Sequence, residues 1–265
     1  MSTFQKEKVG KFKQAVGFDD VPGLDARDGV CADWRRLPEF LSPELGGLRL
    51  FHHQAYPLKT GVGLSDWTWR RRGKQISVEV FVCGDIAGAR ERLLEIATDT
   101  TTVESPLVPA LETVGELAIE HKDRAGDDLD WIYRNICVSV SDQQSGLKLI
   151  PVARRIQSFL AAHTVSNLAA YVPKVARIDL SPGLIRSGDT FEVRLRFAEE
   201  VDPDKLTIDV RPGSWPPLEP LDQNGSVFTV KALKPGRAEL EIIALDPISL
   251  LSAKAAVVID VLPAP

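Results

Sequence analysis

The sequence predicts a two-part chain, an α+β domain followed by an all-β sandwich. Three observations carry that expectation. Strands with strict apolar alternation recur along the chain, two amphipathic helices each follow a strand pair, and from residue 174 onward strands come at short, even spacing with no helix between them. A length of 265 residues suits two domains of ordinary size. An apolar fraction of 44% with 26% charged residues supports a buried core without metal or disulfide staples.

Residues 1–30 mix charge, Gly and Pro with little periodicity and read as an irregular arm. The α+β domain is expected over 31–165. It opens with a short helix near Asp33–Leu41, limited by Pro38. Leu48–Tyr56 reads as a strand, and Leu64–Arg71 with Gln75–Cys83 as a hairpin turning at Arg72-Gly73-Lys74. In its second arm Ile76, Val78, Val80 and Val82 alternate with Ser77, Glu79 and Phe81. Asp85 is a good N-cap for a helix over Ile86–Thr98, whose Ile86, Ala89, Leu93 and Ile96 form one apolar stripe.

The pattern then repeats. Leu117–His121 and Asp130–Val140 read as a strand pair around the polar turn Lys122–Asp128. A helix follows over Leu147–His163, with Pro151 tolerated in its first turn. Ile136 matches Ile76 at an offset of about sixty residues, so the domain is expected to be two β-β-α units. Such units would share one antiparallel sheet with both helices on one face.

Residues 166–173 read as a linker, and 174–265 as the sandwich. Ala176, Ile178 and Leu180 alternate. So do Phe191, Val193, Leu195 and Phe197, set against Glu192, Arg194 and Arg196. Leu206, Ile208 and Val210 precede a Pro-rich bend at Pro212–Pro220. Asn224-Gly225 signals a tight hairpin before Val227–Ala232. Ala238, Leu240, Ile242 and Ala244, then Ala255, Val257, Ile259 and Val261, complete roughly seven strands.

Two stretches carry a family resemblance. Lys234-Pro235-Gly236-Arg237-Ala238-Glu239-Leu240-Glu241-Ile242 resembles the Pro-Gly turn and penultimate strand of bacterial immunoglobulin-like domains, and Leu180–Val193 resembles their opening strands. The resemblance covers about 174–265 and implies an immunoglobulin-like sandwich used for adhesion, spacing or partner contact, with no catalytic residues. Such domains typically sit in exported proteins, whereas the N-terminus here has no apolar h-region. Tyr133–Val140 followed by a helix is similar to units of mycobacterial kinase sensor domains, although the cysteine pattern departs from their disulfide-stapled form.

A net charge of −5 argues against a nucleic-acid binder, and the longest apolar runs fall short of a membrane span. The missing h-region favours a cytoplasmic address, with cell surface or periplasm the alternative if a signal has been removed. Cys31, Cys83 and Cys137 show no paired spacing, which leaves inert thiols as the first reading and a Cys83–Cys137 bridge as the second. No cofactor is expected.

Candidate sites are few. His52 and His53 adjoin on a strand and so point to opposite faces, which prevents joint ligation of one ion. The acidic run Asp123, Asp127, Asp128 and Asp130 lacks calcium-loop spacing and reads as a solvated hairpin tip. Trp67 and Trp69 lie two apart, with Arg70, Arg71 and Arg72 beyond. They form either an aromatic–Arg binding surface or a pair of core tryptophans beside a solvated turn. Trp215, among prolines in a loop, either contacts a partner or packs over the sandwich end. Asn224-Gly225-Ser226 matches a glycosylation acceptor, which the hairpin turn alone explains. No nucleophile elbow or catalytic constellation stands out. The expected function is a non-enzymatic binding protein with a protein partner. The alternative is a small-molecule sensor or hydrolase with its site in the first domain.

Overall fold

A computed structural model describes residues 10, 13–14, 28–58, 60–98, 108–109, 114–122, 127–143, 145–199, 201–212 and 218–264. The chain forms two compact units. One comprises Met1–Tyr56, Val62–Tyr171 and Ile248–Leu250, the other Pro57–Gly61, Val172–Pro247 and Leu251–Pro265.

The first unit is built on a seven-stranded sheet of order β2-β3-β4-β8-β7-β6-β5. Its strands are β2 (Arg49–Pro57), β3 (Gly63–Arg71), β4 (Lys74–Val82), β5 (Val108–Pro109), β6 (Leu117–Lys122), β7 (Asp127–Tyr133) and β8 (Ile136–Gln143). β1 (Gly29–Val30) pairs separately with β9 (Thr164–Val165). Three short helices accompany them among the described residues: α1 (Leu37–Leu41), α2 (Ile86–Thr98) and α3 (Leu149–Ala162).

Local chemistry explains several of these elements. β3 and β4 turn through Arg72 and Gly73, both at positive φ (51° and 81°), the geometry that a two-residue hairpin with right-handed strand twist requires. The Asp85 carboxylate accepts from the Gly88 amide at 2.8 Å, so it caps an orphan N–H of α2 as its position suggested. Asn135, fully buried, ties three segments together. Its Oδ1 accepts from the Val30 amide at 2.6 Å, and its Nδ2 donates to the Cys83 carbonyl at 3.0 Å.

The two faces of the sheet differ. Trp67, Val78, Val140 and Leu129 form one row across it, and Asp66, Glu79, Ser139 and Asp130 form the neighbouring row on the other face. On the apolar face Trp67, Val78, Val80, Val138, Val140 and Trp131 are all fully buried. Tyr133 shares that face, and its hydroxyl meets Thr164 just beyond the end of α3 at 3.2 Å. Phe159 of α3 in turn packs on Trp34 and Phe40 at centroid distances of 5.8 and 5.5 Å. α2 lies on the other face, where the Arg92 guanidinium sits 4.1 Å from the Phe81 ring centroid.

The second unit holds two four-stranded sheets of order β10-β12-β15-β14 and β11-β17-β16-β13. The strands are β10 (Val175–Ser181), β11 (Ile185–Arg186), β12 (Thr190–Phe197), β13 (Thr207–Pro212), β14 (Leu218–Asn224), β15 (Val227–Ala232), β16 (Gly236–Leu245) and β17 (Ser252–Leu262). Phe191, Val193, Leu195, Val230, Leu240 and Ile242 belong to one core, the inward half of the alternation seen in the sequence.

These sheets correct the expected fold class. The chain is mostly β in several sheets, one of them a half-barrel, and not an α+β domain of two β-β-α units followed by an immunoglobulin-like sandwich. Two physical reasons are visible in the first unit. Asp130–Val140 is two strands, not one, because the apolar phase shifts from odd (Leu129, Trp131) to even (Ile136, Val138, Val140) across a turn at Arg134 and Asn135, with Arg134 at φ 56°. The helices also take opposite faces. The second face offers α2 its own apolar footing in Phe81, Cys137 and Ile132, all buried. No described helix is long and apolar enough to cross a membrane.

Candidate functional site

β2 is a terminal strand of the seven-stranded sheet, and its outer edge has no strand partner among the described residues. Eight of its nine residues are exposed. Three are large and apolar: Leu50 at 48%, Phe51 at 66% and Tyr56 at 38%. The strand is held to β3 by side chains as well as pairing. His53 stacks on Trp67 with centroids 5.1 Å apart and planes at 5°, and its Nε2 lies 3.0 Å from Ser65 Oγ. Gln54 Nε2 donates to Asp66 at 2.9 Å. The Arg70 guanidinium sits 4.4 Å from the Phe51 ring centroid.

Exposed edges invite further pairing, and folded chains usually blunt them. The other edges of the larger sheets are blunted among the described residues. β5 is two residues long and contains Pro109, and β11 is also two residues. β14 carries Pro220 and a register irregularity next to it. β10 presents the ion pair of Arg177 and Asp179, and β13 that of Arg211 and Asp209, ending on Pro212. β2 has none of these devices in its interior. Its one permanently charged residue, Arg49, stands at the strand start.

A second arrangement lies on the polar face. Asp66, Glu79, Ser139 and Asp130 occupy one transverse row across β3, β4, β8 and β7. Glu79 is exposed to solvent, yet loss of hydration raises its carboxyl above the ordinary value, assisted by Asp66 and Asp130 and opposed by Arg92. No group of three or more His, Cys, Asp or Glu among the described residues is placed to hold a metal.

The residues singled out in the sequence are scattered. Trp67 and Trp69 do share a face, but they are 0% and 3% exposed and belong to the core, so they present no aromatic binding surface. Arg70 lies on the opposite face of the strand. The Arg71 guanidinium occupies the space that a Cβ on Gly47, itself at φ 79°, would need. Arg72 forms the exposed hairpin turn. Trp215 and Asp123 lie outside the described residues. His52 and His53 diverge as strand geometry requires: His52 stands 3.9 Å from Asp66, while His53 covers Trp67. No disulfide joins Cys83 to Cys137. Both are buried, and burial pushes the Cys83 thiol up to about 12. Sequence reasoning missed the apolar members of β2. The available signal was a nine-residue strand with no Lys, Asp, Glu or interior Pro.

No family model and no curated protein matches the chain. Among solved structures, the di-domain ARO/CYC StfQ from the steffimycin biosynthetic pathway is similar at 7% identity over 83% of this chain and 73% of that one, with a TM-score of 0.17, too low to carry an argument.

Proposed function

We propose that this chain is a non-enzymatic interaction protein that binds an extended segment of a protein partner along the outer edge of β2. The observation that carries this reading is the long edge of β2, which has no permanent charge after Arg49 and exposes three large apolar side chains, while the other edges of the larger sheets are blunted among the described residues. Main-chain pairing at such an edge supplies affinity, and alternate side chains supply selectivity. Leu50, Phe51 and Tyr56 are the apolar anchors. The second unit, with its blunted edges, acts as scaffold. A random-peptide library selected on the full chain should yield extended, alternating apolar sequences, and Phe51→Lys should abolish their capture while the far-UV circular dichroism of the native chain is unchanged. Equal capture by wild type and Phe51→Lys would contradict the reading.

Glu79 supports a second reading, a small-molecule site over the Asp66–Glu79–Asp130 row. In a thermal-shift screen a ligand of that site should stabilise the wild type and not Glu79→Gln. Equal stabilisation of both proteins would end it.

A further inference from the structure

We propose that the β3–β4 hairpin end of the first unit is a docking surface for an anionic lipid bilayer. The proposal is independent of the edge-binding reading.

Six exposed cations gather at this end. Arg70, Arg71, Arg72 and Lys74 belong to the hairpin itself. Arg49 and Lys148 join them from neighbouring segments: a Cβ on Gly47 would lie 2.7 Å from the Arg71 guanidinium, and one on Gly46 would lie 3.3 Å from Leu147. Exposed cations elsewhere have carboxylate partners, as Arg177 has Asp179, Arg194 has Glu192 and Lys205 has Asp202. None of the six at the hairpin end has an ion-pair partner among the described residues. Three carboxylates share this end and leave the cations in excess. Asp142 is buried and accepts from the Ser145 amide at 2.8 Å, Asp127 lies opposite it on β7, and Glu44 precedes Gly46. Unneutralised like charges repel one another, and an anionic partner relieves that repulsion.

Shape selects among anionic partners. The hairpin tip projects, turning at Arg72 and Gly73, and a Cβ on Gly73 would meet nothing within 4 Å. A projecting tip suits a plane, not a groove-bound chain. Leu50 and Phe51 stand exposed at the same end of the sheet, where Arg70 lies over the Phe51 ring. Cations with apolar side chains beside them match the boundary between headgroups and acyl chains, whereas a nucleic acid or an acidic chain needs the cations alone. The chain's net charge of −5 does not oppose contact, because salt near 0.1 M confines the reach of each charge to about 10 Å.

Sedimentation of the full chain with vesicles tests the proposal, and Leu50 and Phe51 stay unaltered so that its outcome does not depend on edge binding. Vesicles of phosphatidylcholine and phosphatidylserine at about 2:1 should carry the wild type down, and phosphatidylcholine alone should not. Arg72→Asn/Lys74→Gln removes two cations at exposed positions, and Asn tolerates the positive φ of the turn. Its partition onto the mixed vesicles should fall about 25-fold, about fivefold for each cation. Arg177→Gln/Lys205→Gln makes the same change in net charge within the second unit and should leave partition as it was. Loss confined to the hairpin variant supports the proposal. Equal loss in both variants, loss in neither, or equal sedimentation with both vesicle types overturns it. So does a wild type that stays in the supernatant. If that chain is instead retained on immobilised poly-glutamate and the hairpin variant is not, the hairpin end belongs to an acidic protein segment and not to a bilayer.

Discussion

His53 lies flat on Trp67, ring centroids 5.1 Å apart and planes at 5°, and so an edge-strand histidine covers a tryptophan that is fully buried. Loss of hydration in this position lowers the His53 pKa from 6.5, outweighing the opposing pull of Asp66; His52 adds to the lowering. The native state therefore binds fewer protons at His53 than the unfolded chain does. The stability His53 contributes is present above about pH 6.5 and is lost as pH falls through its folded value. Thermal midpoints measured across that range should fall for the wild type and fall less steeply for His53→Phe. Trp67→Ala, which removes the ring beneath, should cost about 3–5 kcal/mol in urea denaturation.

Glu79 carries the opposite sign. Its raised carboxyl favours the protonated form in the native state, so the stability it contributes is present below its unfolded value near 4.5 and is lost as pH rises through the folded value. Glu79→Gln should then raise the thermal midpoint at neutral pH and leave it unchanged in acid. A lower midpoint at neutral pH would show that the pull of Arg92 outweighs desolvation.

Asn135 links the start of the first unit to the end of β4. Asn135→Ala should strand the Val30 amide and the Cys83 carbonyl in a buried place, at about 1–3 kcal/mol for each group. Urea denaturation measures that cost.

The thiols should react in an order set by burial. Cys83, with its pKa near 12, and Cys137, pushed higher than ordinary by complete burial, hold almost no thiolate near neutral pH. Iodoacetamide on the native chain should label Cys31, which is partly exposed, well before the other two. All three should label in urea. Fast native labelling at Cys83 would contradict the buried placement.

Much of the local structure was legible in the sequence, because it is encoded within a few residues. Arg72-Gly73 at the hairpin, Asp85 at the helix start and the inward alternation of Phe191, Val193 and Leu195 each follow from a single turn, cap or strand period. What depends on pairing between distant strands was not. The order β4-β8 at the sheet centre places Glu79 between Asp66 and Asp130, and nothing in the 66–79 segment announces residue 130. The shift in apolar phase at Arg134 was present in the sequence, but it was hidden by the continuous run of apolar residues on both sides of the turn. Trp67 and Trp69 illustrate the remaining ambiguity: alternation put them on one face, and only the position of α3 and the neighbouring strands made that face the core. The edge status of β2 is likewise a property of sheet order, invisible in Leu48–Tyr56 taken alone.

The most direct measurement of the account is amide hydrogen exchange across residues 49–57 of the full chain, free and with a library-selected peptide. If β2 is the binding edge, alternate amides of this strand, those facing away from β3, should gain protection on binding while the rest of the sheet is unchanged. Protection that arises on another strand, or binding that leaves every β2 amide as it was, would contradict the account.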